Sequence, residues 1–439
     1  ATSRASDRTK VLIEATISVA SRFVEETTDT IVDVVRCDRS LDSELRTERP
    51  EKTVKRTPVA HVIFPRRSRT RPVLEFTWQA ARALMNTPDL DVSVLIPVPV
   101  RPARRLMSFA RRSSGQAPWP EDLEERLMAL DPAPILVPYV PMPRRSTEAA
   151  AVALAAHFVQ RPRAGRPQFV QGSFLDEGGY AATAIGRVLG VPSVAVGHGT
   201  DVRVARAQAP DGVNRRRRAR VALSRADHVI AVSHQLAQEL AMIGVRAQVL
   251  PFTSDAERFY VTPPSSGHPE VLFVGKVGRG KGVDRLLKAF TRMRRQDASL
   301  RLVGPNAGDI DLARQIDALG LRARVIVEGE VSQVLLPERY HRSACLVLPS
   351  RGEGLPCVLV ESLLSGRPVV ASDVGGVAEL VDEQVGALVT EEGPDALAEA
   401  IDGVLDRTFD GSVLRRRAMP FTWQSTGPQL VDMTRALLR

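Results

Sequence analysis

PSRGEGLPCVLVESLLSGRPVVASDVGG, residues 349–376, places two glutamates, Glu353 and Glu361, eight positions apart in an almost wholly apolar run. A carboxylate is costly to bury unpaired, so each should meet something polar. CLVLPS (345–350) reads as a strand, RGEG as a loop, and Pro356 as the first residue of a helix running to about Ser365 with Gly366 as its stop. RPVVAS then reads as the next buried strand and DVGG as a second loop at a strand's carboxyl end. That order puts Glu353 at the ligand edge of a parallel sheet and Glu361 roughly one and a half turns into the helix. The amides of Gly354 and Leu355, beside the helix start, make an anion site. A loop charge and an exposed helix residue would explain either glutamate alone. The pair beside an anion site is better explained by a ligand bearing hydroxyls and phosphate, because a carboxylate accepts two hydroxyl hydrogen bonds at once.

Working outward, the same alternation fills most of the chain. VAHVIFP (59–65), DVSVLIP (91–97), PILVPYV (134–140), PQFVQG (167–172), PSVAVGH (192–198), HVIAVS (228–233) and AQVLP (247–251) are candidate strands, with helical patterns such as TEAAAVALAAHFV between them. VTPPSSGHP (261–269) interrupts the pattern as a linker would. EVLFVG, SLRLVG, RVIVEG, CLVLPS, RPVVAS and GALVT then repeat it with helices between. This predicts an α/β protein of two doubly wound, Rossmann-like domains, 58–260 and 270–415, facing a central cleft, with residues 416–439 as a terminal helix. Residues 1–57 stand apart: Ile13, Ile17, Ala20 and Val24 recur at helical spacing before a charged stretch, which predicts a helical extension and linker without assignable function.

Composition narrows the function classes. With 44% hydrophobic and 25% charged residues in 439, the chain can build two cores. No apolar run approaches the ~18 residues of a membrane span, and the N-terminus lacks a signal-peptide pattern, so a cytoplasmic protein is expected. Cys37, Cys345 and Cys357 have neither disulfide nor metal spacing and are read as reduced packing residues. The net charge of +9 admits nucleic acid, membrane surface or anionic substrate. Its densest run, Arg215 to Arg218 with Arg220, lacks aromatic interleaving and is read as a solvated helix face, so nucleic acid is not expected as a partner. Peripheral contact with the inner face of a membrane stays open.

A phosphate ligand needs cations. VGKVGRGKG (274–282) follows a strand string and precedes a helix, and Lys276, Lys281 and Lys288 are the only lysines in residues 56–439. In a chain that otherwise uses arginine, two lysines in a glycine-rich turn point to phosphate, although the Walker A spacing is absent. GHGTD (197–201) follows another buried strand and offers His198 and Asp201, with packing histidine as the equal alternative. Gly178 and Gly179 are read first as shaping a helix entry, and with Thr77 they complete the acceptor-side candidates. The remaining histidines form no metal spacing, and no metal or cofactor is expected.

Taken together, VGKVGRGKG, RVIVEGEV, the Glu353 and Glu361 spacing, VPSVAVGHGTD and ADHVIAVS resemble a retaining GT-B glycosyltransferase of the GT4-like, group 1 family, over about residues 59–439. The resemblance implies that Lys281 binds the donor diphosphate with Lys276 in place of the family's usual arginine, and that Glu361 holds the ribose hydroxyls. It further implies that Glu353, Gly354 and Leu355 meet the transferred sugar and phosphate, that the backbone at Glu328 and Gly329 meets the base, and that His198 approaches the sugar from the other domain. Catalytic roles fall on Glu353, His198 and Lys281. The implied reaction is metal-independent, retaining transfer of a hexose from a nucleotide-diphosphate sugar, UDP or GDP, to a saccharide, lipid-linked or small-molecule acceptor, as in polysaccharide or glycolipid biosynthesis. Two departures bear on the acceptor side and the linker: PRRSRTRPVLEFTW lacks the paired glycines of many relatives, and PFTSDAERF (251–259) lacks their asparagine-glycine pair. The alternatives are a non-catalytic member of the fold that binds a partner or membrane surface, and a nucleotide-sugar epimerase.

Overall fold

The structure, a computed structural model, describes residues 56–65, 75–100, 123–130, 133–142, 145–206, 212–251, 253–263, 267–391 and 393–439. Its first part runs β1 (Thr57–Val62), α1 (Glu75–Met85), β2 (Leu90–Pro99), α2 (Leu123–Met128), β3 (Ile135–Tyr139), α3 (Ser146–Val159), β4 (Phe169–Ser173), α4 (Tyr180–Leu189), β5 (Ser193–Gly197), α5 (Thr200–Arg206), α6 (Val213–Arg225), β6 (His228–Ala231), α7 (His234–Ala241) and β7 (Gln248–Val249). The strands lie in the order β3-β2-β1-β4-β5-β6-β7. The chain therefore walks outward from β1, then returns to its other side, and the switch point falls between β1 and β4. β1 is parallel to both neighbours and sets His61 beside Val94 and Gln171.

Helices on both faces explain why these strands read as continuous apolar runs. On one face Ala60, Val62 and Val170 pack with Ala150, Leu154, Ala181 and Ile185 of α3 and α4. On the other, Ile63, Val94 and Ile96 pack with Trp78 and Ala81 of α1.

The second part runs β8 (Glu270–Val274), α8 (Val283–Arg292), β9 (Ser299–Val303), α9 (Leu312–Ala318), β10 (Val325–Gly329), α10 (Leu336–Arg342), β11 (Cys345–Leu348), α11 (Cys357–Leu364), β12 (Val369–Ser372), β13 (Gly386–Val389), α12 (Pro394–Leu405), α13 (Gly411–Ala418) and α14 (Trp423–Leu437). Its sheet has the order β10-β9-β8-β11-β12-β13, and every pair is parallel. Leu286 and Phe290 of α8 join Leu302, Leu346, Val370 and Ile401 in its core. Here the switch point lies between β8 and β11.

Each apolar string expected to be a strand is one, with ends shifted by a few residues. Pro356 proves to be the residue before α11, extended at φ −77 and ψ 112, and Gly366 stops the helix at φ 72. The described chain forms two compact units that interleave along the sequence. Residues up to Ile230, with Leu240–Gln248 and Leu430–Arg439, make the first; Ala231–Glu239 and Val249–Gln429 make the second. Thus α14 begins in the second unit and ends in the first, where Arg435 pairs with Asp89 through contacts of 2.8 and 3.0 Å. The start of the linker is held within the second unit: buried Arg367 donates to the carbonyls of Thr262 and Pro263, at 2.9 Å each. The helical extension expected over 1–57, and Cys37 in it, fall outside the described residues apart from Arg56 and Thr57. Among the described residues, no helix is long and apolar enough to cross a membrane.

Candidate active site

The second unit brings two loops together at its switch point. After β8 the chain makes a single turn, Arg279–Lys281, and enters α8 through Gly282. Gly282 has φ 72, and a Cβ there would lie 1.8 Å from the Pro349 carbonyl oxygen, so this loop can press against the end of β11 only with glycine. The contact is stitched on both sides. Arg351 makes a two-pronged bond to Asp284, 2.9 Å at each prong, and its N–H donates to the Gly280 carbonyl at 3.1 Å. Arg285 reaches the Pro349 carbonyl at 2.7 Å and Ser372 Oγ at 2.8 Å. Burial would raise the Asp284 carboxyl, but the Arg351 bond and charge outweigh it and hold the group below its usual range.

Between the stitches, Lys281 Nζ lies 2.5 Å from Glu353 Oε1. The Glu353 side chain is buried and the Lys281 side chain is 33% exposed, so the pair sits at the surface of the site with its carboxylate turned inward. Gly375, at φ 61, packs the DVGG loop onto the Glu353 carbonyl, where a Cβ would come within 2.1 Å, and the Gly376 N–H donates to Gly354 O at 2.7 Å. Gly354 and Leu355 are buried just ahead of α11. Lys276 is exposed on the same β8 loop.

Glu361 is buried in α11 and accepts a 2.7 Å hydrogen bond from the hydroxyl of Tyr340, which is wholly buried in α10. The neighbouring Arg339 donates through Nε at 2.9 Å to Glu328, which also meets Arg301 at 3.2 Å. Hydrogen bonding from Arg339 is the largest reason that the Glu328 carboxyl is held low. Gly329 follows at φ 79, and its carbonyl accepts from the Gly304 N–H at 2.7 Å. Tyr340, Arg339, Arg351 and Asp284 were not singled out from sequence; a lone tyrosine or arginine in a short helix pattern carries no spacing signal.

In the first unit, His198, Asp201, Gly178 and Gly179 follow β4 and β5, whereas Thr77 lies in α1. The His198 ring lies against Phe174, 4.5 Å between centroids and tilted by 36°, and Phe174 is the one described non-glycine residue with positive φ, at 66. Such strain in a bulky side chain marks a position held by its surroundings. Asp201, offered by GHGTD as a candidate, turns its carboxylate into the protein. It is fully buried and accepts backbone N–H bonds from Leu175 at 2.8 Å, Gly199 at 2.9 Å and His198 at 3.0 Å, so it fixes two loops to each other. Burial pushes its pKa up to about 6 against those bonds. Gly178 and Gly179 are buried in the wide turn Phe174–Gly179 that leads into α4, the helix-entry role expected first. Thr77 is buried in the first turn of α1.

Most of the arginine run is exposed, as read from sequence, and the correction falls on Arg218. Arg218 is buried and meets Glu148 at 3.4 Å, Arg217 meets Glu148 at 2.9 Å, and Arg215 meets buried Asp176 at 2.6 Å. Two buried carboxylates from α3 and the turn after β4 demanded cationic partners, and α6 supplies them. Cys345 and Cys357 are free thiols. Burial pushes the Cys345 thiol up to about 12, which suits packing and not chemistry. Among the described residues, no group of three or more His, Cys, Asp or Glu is placed to hold a metal ion.

Two family models match the chain, glycosyl transferases group 1 over residues 268–407 and glycosyltransferase family 4 over residues 114–257. The D-inositol 3-phosphate glycosyltransferase of Nocardiopsis dassonvillei is 31% identical over 297 residues, 59% of this chain and 68% of that protein. The chain belongs to glycosyltransferase family 4. A second family 4 likeness, to the alpha-D-kanosaminyltransferase of Streptomyces kanamyceticus, is 32% identical over 180 residues, 38% of this chain and 46% of that one, so the match spans less than half of that relative. The structure of Anabaena HepE in complex with UDP superposes with a TM-score of 0.63 at 18% identity, covering 87% of this chain and 99% of that one. The two parallel-sheet units are therefore those of the GT-B fold. Lys281, Glu353 and Glu361 all lie within the segment that the group 1 model matches.

Proposed function

We propose that this family 4 chain is a retaining glycosyltransferase that moves a hexose from a nucleotide-diphosphate sugar to a saccharide, lipid-linked or small-molecule acceptor. The observation that carries the proposal is the Lys281 and Glu353 pair at the second unit's switch point, with Glu361 in the helix that follows. A cation and two carboxylates at the carboxyl edge of a parallel sheet match the needs of a diphosphate and two sets of sugar hydroxyls. The names of the two curated relatives, both glycosyltransferases, and the UDP held by HepE support the same reading.

In this proposal Lys281 and Lys276 take the charge of the diphosphate, with the amides of Gly354 and Leu355 adding donors. Glu361 holds the ribose hydroxyls, the backbone at Glu328 and Gly329 meets a uracil or guanine base, and Glu353 orients the transferred sugar. The bond from sugar C1 to the phosphate oxygen breaks, and the electron pair leaves with the diphosphate, where the lysines stabilise it. The acceptor hydroxyl attacks the same face of C1, and its proton passes to a donor phosphate oxygen. That route asks for charge stabilisation from the protein and for no metal.

Titration calorimetry with UDP, GDP, ADP and TDP, using Glu361→Ala as control, tests the site, and transfer from a labelled donor tests the chemistry. Selective binding of one nucleotide that the variant loses is the expected result. Absence of binding for all four would overturn the proposal.

A further inference from the structure

We infer that Tyr340 is the positioning residue that sets Glu361 for a ribose diol, and through it the preference of the site for ribonucleoside over 2′-deoxyribonucleoside diphosphates. The inference rests on the proposed nucleotide-sugar reading and deepens it.

Tyr340 is wholly buried, and phenylalanine would fill the same ring space. The hydroxyl is the part that needs explaining, because a buried O–H must find an acceptor. It donates to Glu361 Oε2 at 2.7 Å, a charge-assisted contact at the usual length for oxygen donors. Glu361 is itself buried, so its carboxylate cannot rely on water for orientation. The bond restrains the carboxylate through one oxygen, and a carboxylate accepts several hydrogen bonds at once, so the same group can also accept from ligand hydroxyls. The ring that carries this hydroxyl is in turn fixed edge-on by Phe259, at 5.7 Å between centroids and 79° between planes.

The element bearing Tyr340 reinforces the argument. α10 spans only Leu336–Arg342, and its adjacent residues Arg339 and Tyr340 reach Glu328 and Glu361 respectively. His341 next to them meets the Tyr260 carbonyl at 2.9 Å, which ties the helix to the segment that carries Phe259. One short helix thus orders Glu361, assigned to the ribose, and Glu328, whose backbone is assigned to the base. Pre-set acceptors discriminate strongly against an analogue lacking the hydroxyl, since the carboxylate is then left short of a partner.

The test measures affinity for the preferred nucleoside diphosphate and its 2′-deoxy form in wild type, Tyr340→Phe, Glu361→Ala and the double variant, with thermal unfolding to confirm the fold. Tyr340→Phe is expected to weaken the ribose form by roughly tenfold and the 2′-deoxy form much less, so that discrimination collapses. In the Glu361→Ala background the same change should add nothing. If Tyr340→Phe does not fold, Phe259→Leu, which loosens the ring and keeps the hydroxyl, should reduce discrimination in the same direction. Equal weakening of both forms, or unchanged discrimination, would overturn the inference while leaving the nucleotide site standing. A wild-type chain that binds no nucleoside diphosphate would overturn the underlying reading, and the inference with it.

Discussion

Lys281 Nζ and Glu353 Oε1 stand 2.5 Å apart although 72 positions separate them in the chain. Neither loop makes the pair alone. It exists because β8 and β11 are neighbours at the point where strand order reverses, and because Gly282 lets one loop lie on the carbonyl of Pro349. On the proposed reading, a donor diphosphate would replace the Glu353 carboxylate as the partner of Lys281 and so free Glu353 for sugar hydroxyls.

Lys281→Ala removes the cation that would meet the diphosphate. Calorimetric affinity for the preferred nucleoside diphosphate should fall by roughly 10- to 100-fold, with transfer falling at least as far. Unchanged affinity would remove the phosphate assignment.

Glu353→Gln separates the two members of the pair. The amide no longer competes as an anion for Lys281, so nucleotide affinity should hold or rise, whereas turnover from a labelled donor should drop by about tenfold or more. A loss of nucleotide affinity as large as that of Lys281→Ala would show that Glu353 serves binding and not the sugar.

His61 gives the fold a pH dependence. It is wholly buried beside Gln171, and burial lowers its pKa to about 4. The native state therefore keeps the ring neutral while the unfolded chain takes up protons below its ordinary value near 6.5. The contribution to stability is complete above that value and declines as pH falls towards 4, by a total on the order of 3 kcal/mol. Asp201, raised to about 6, works in the opposite sense, because its native form takes up a proton more readily than the unfolded one. Urea unfolding of wild type and His61→Phe at pH 7.5 and 4.5 isolates the histidine: the variant should lose less stability on acidification, and parallel losses would refute the assignment.

Glu148→Ala leaves Arg218 buried without its carboxylate and strips Arg217 of its partner. Removal of one member of a buried pair costs about 3 kcal/mol or more. Chemical denaturation should show that loss, while Arg220→Ala, at an exposed position of the same run, should change little. Equal small effects would return the run to the solvated face read from sequence.

Local chemistry explains what was legible beforehand. Apolar strings of strand length, separated by helical patterns and closed by glycine or proline, announce parallel α/β units because their periodicity is a property of neighbouring residues. For the same reason Glu353 and the lysines of VGKVGRGKG could be singled out, each between a strand and the helix that follows it, and Glu361 through its spacing from Glu353 within that helix. Asp201 and Arg218 differ from the sequence reading because burial and a distant partner decide each: the nearby amides of His198 and Gly199 alone would leave the Asp201 loop at the surface. Asp201 captures the amide of Leu175, and Arg218 answers Glu148, 70 positions earlier.

The sequence by itself thus determined the class of fold, its switch-point loops and the polar residues that stand at them, since those depend on short-range pattern. The tertiary structure alone decided which charges are spent on the scaffold and which meet one another at the site. Burial and strand order determine whether a carboxylate finds an amide, a guanidinium, a lysine or the hydroxyl of Tyr340, and neither is encoded within any single stretch of chain.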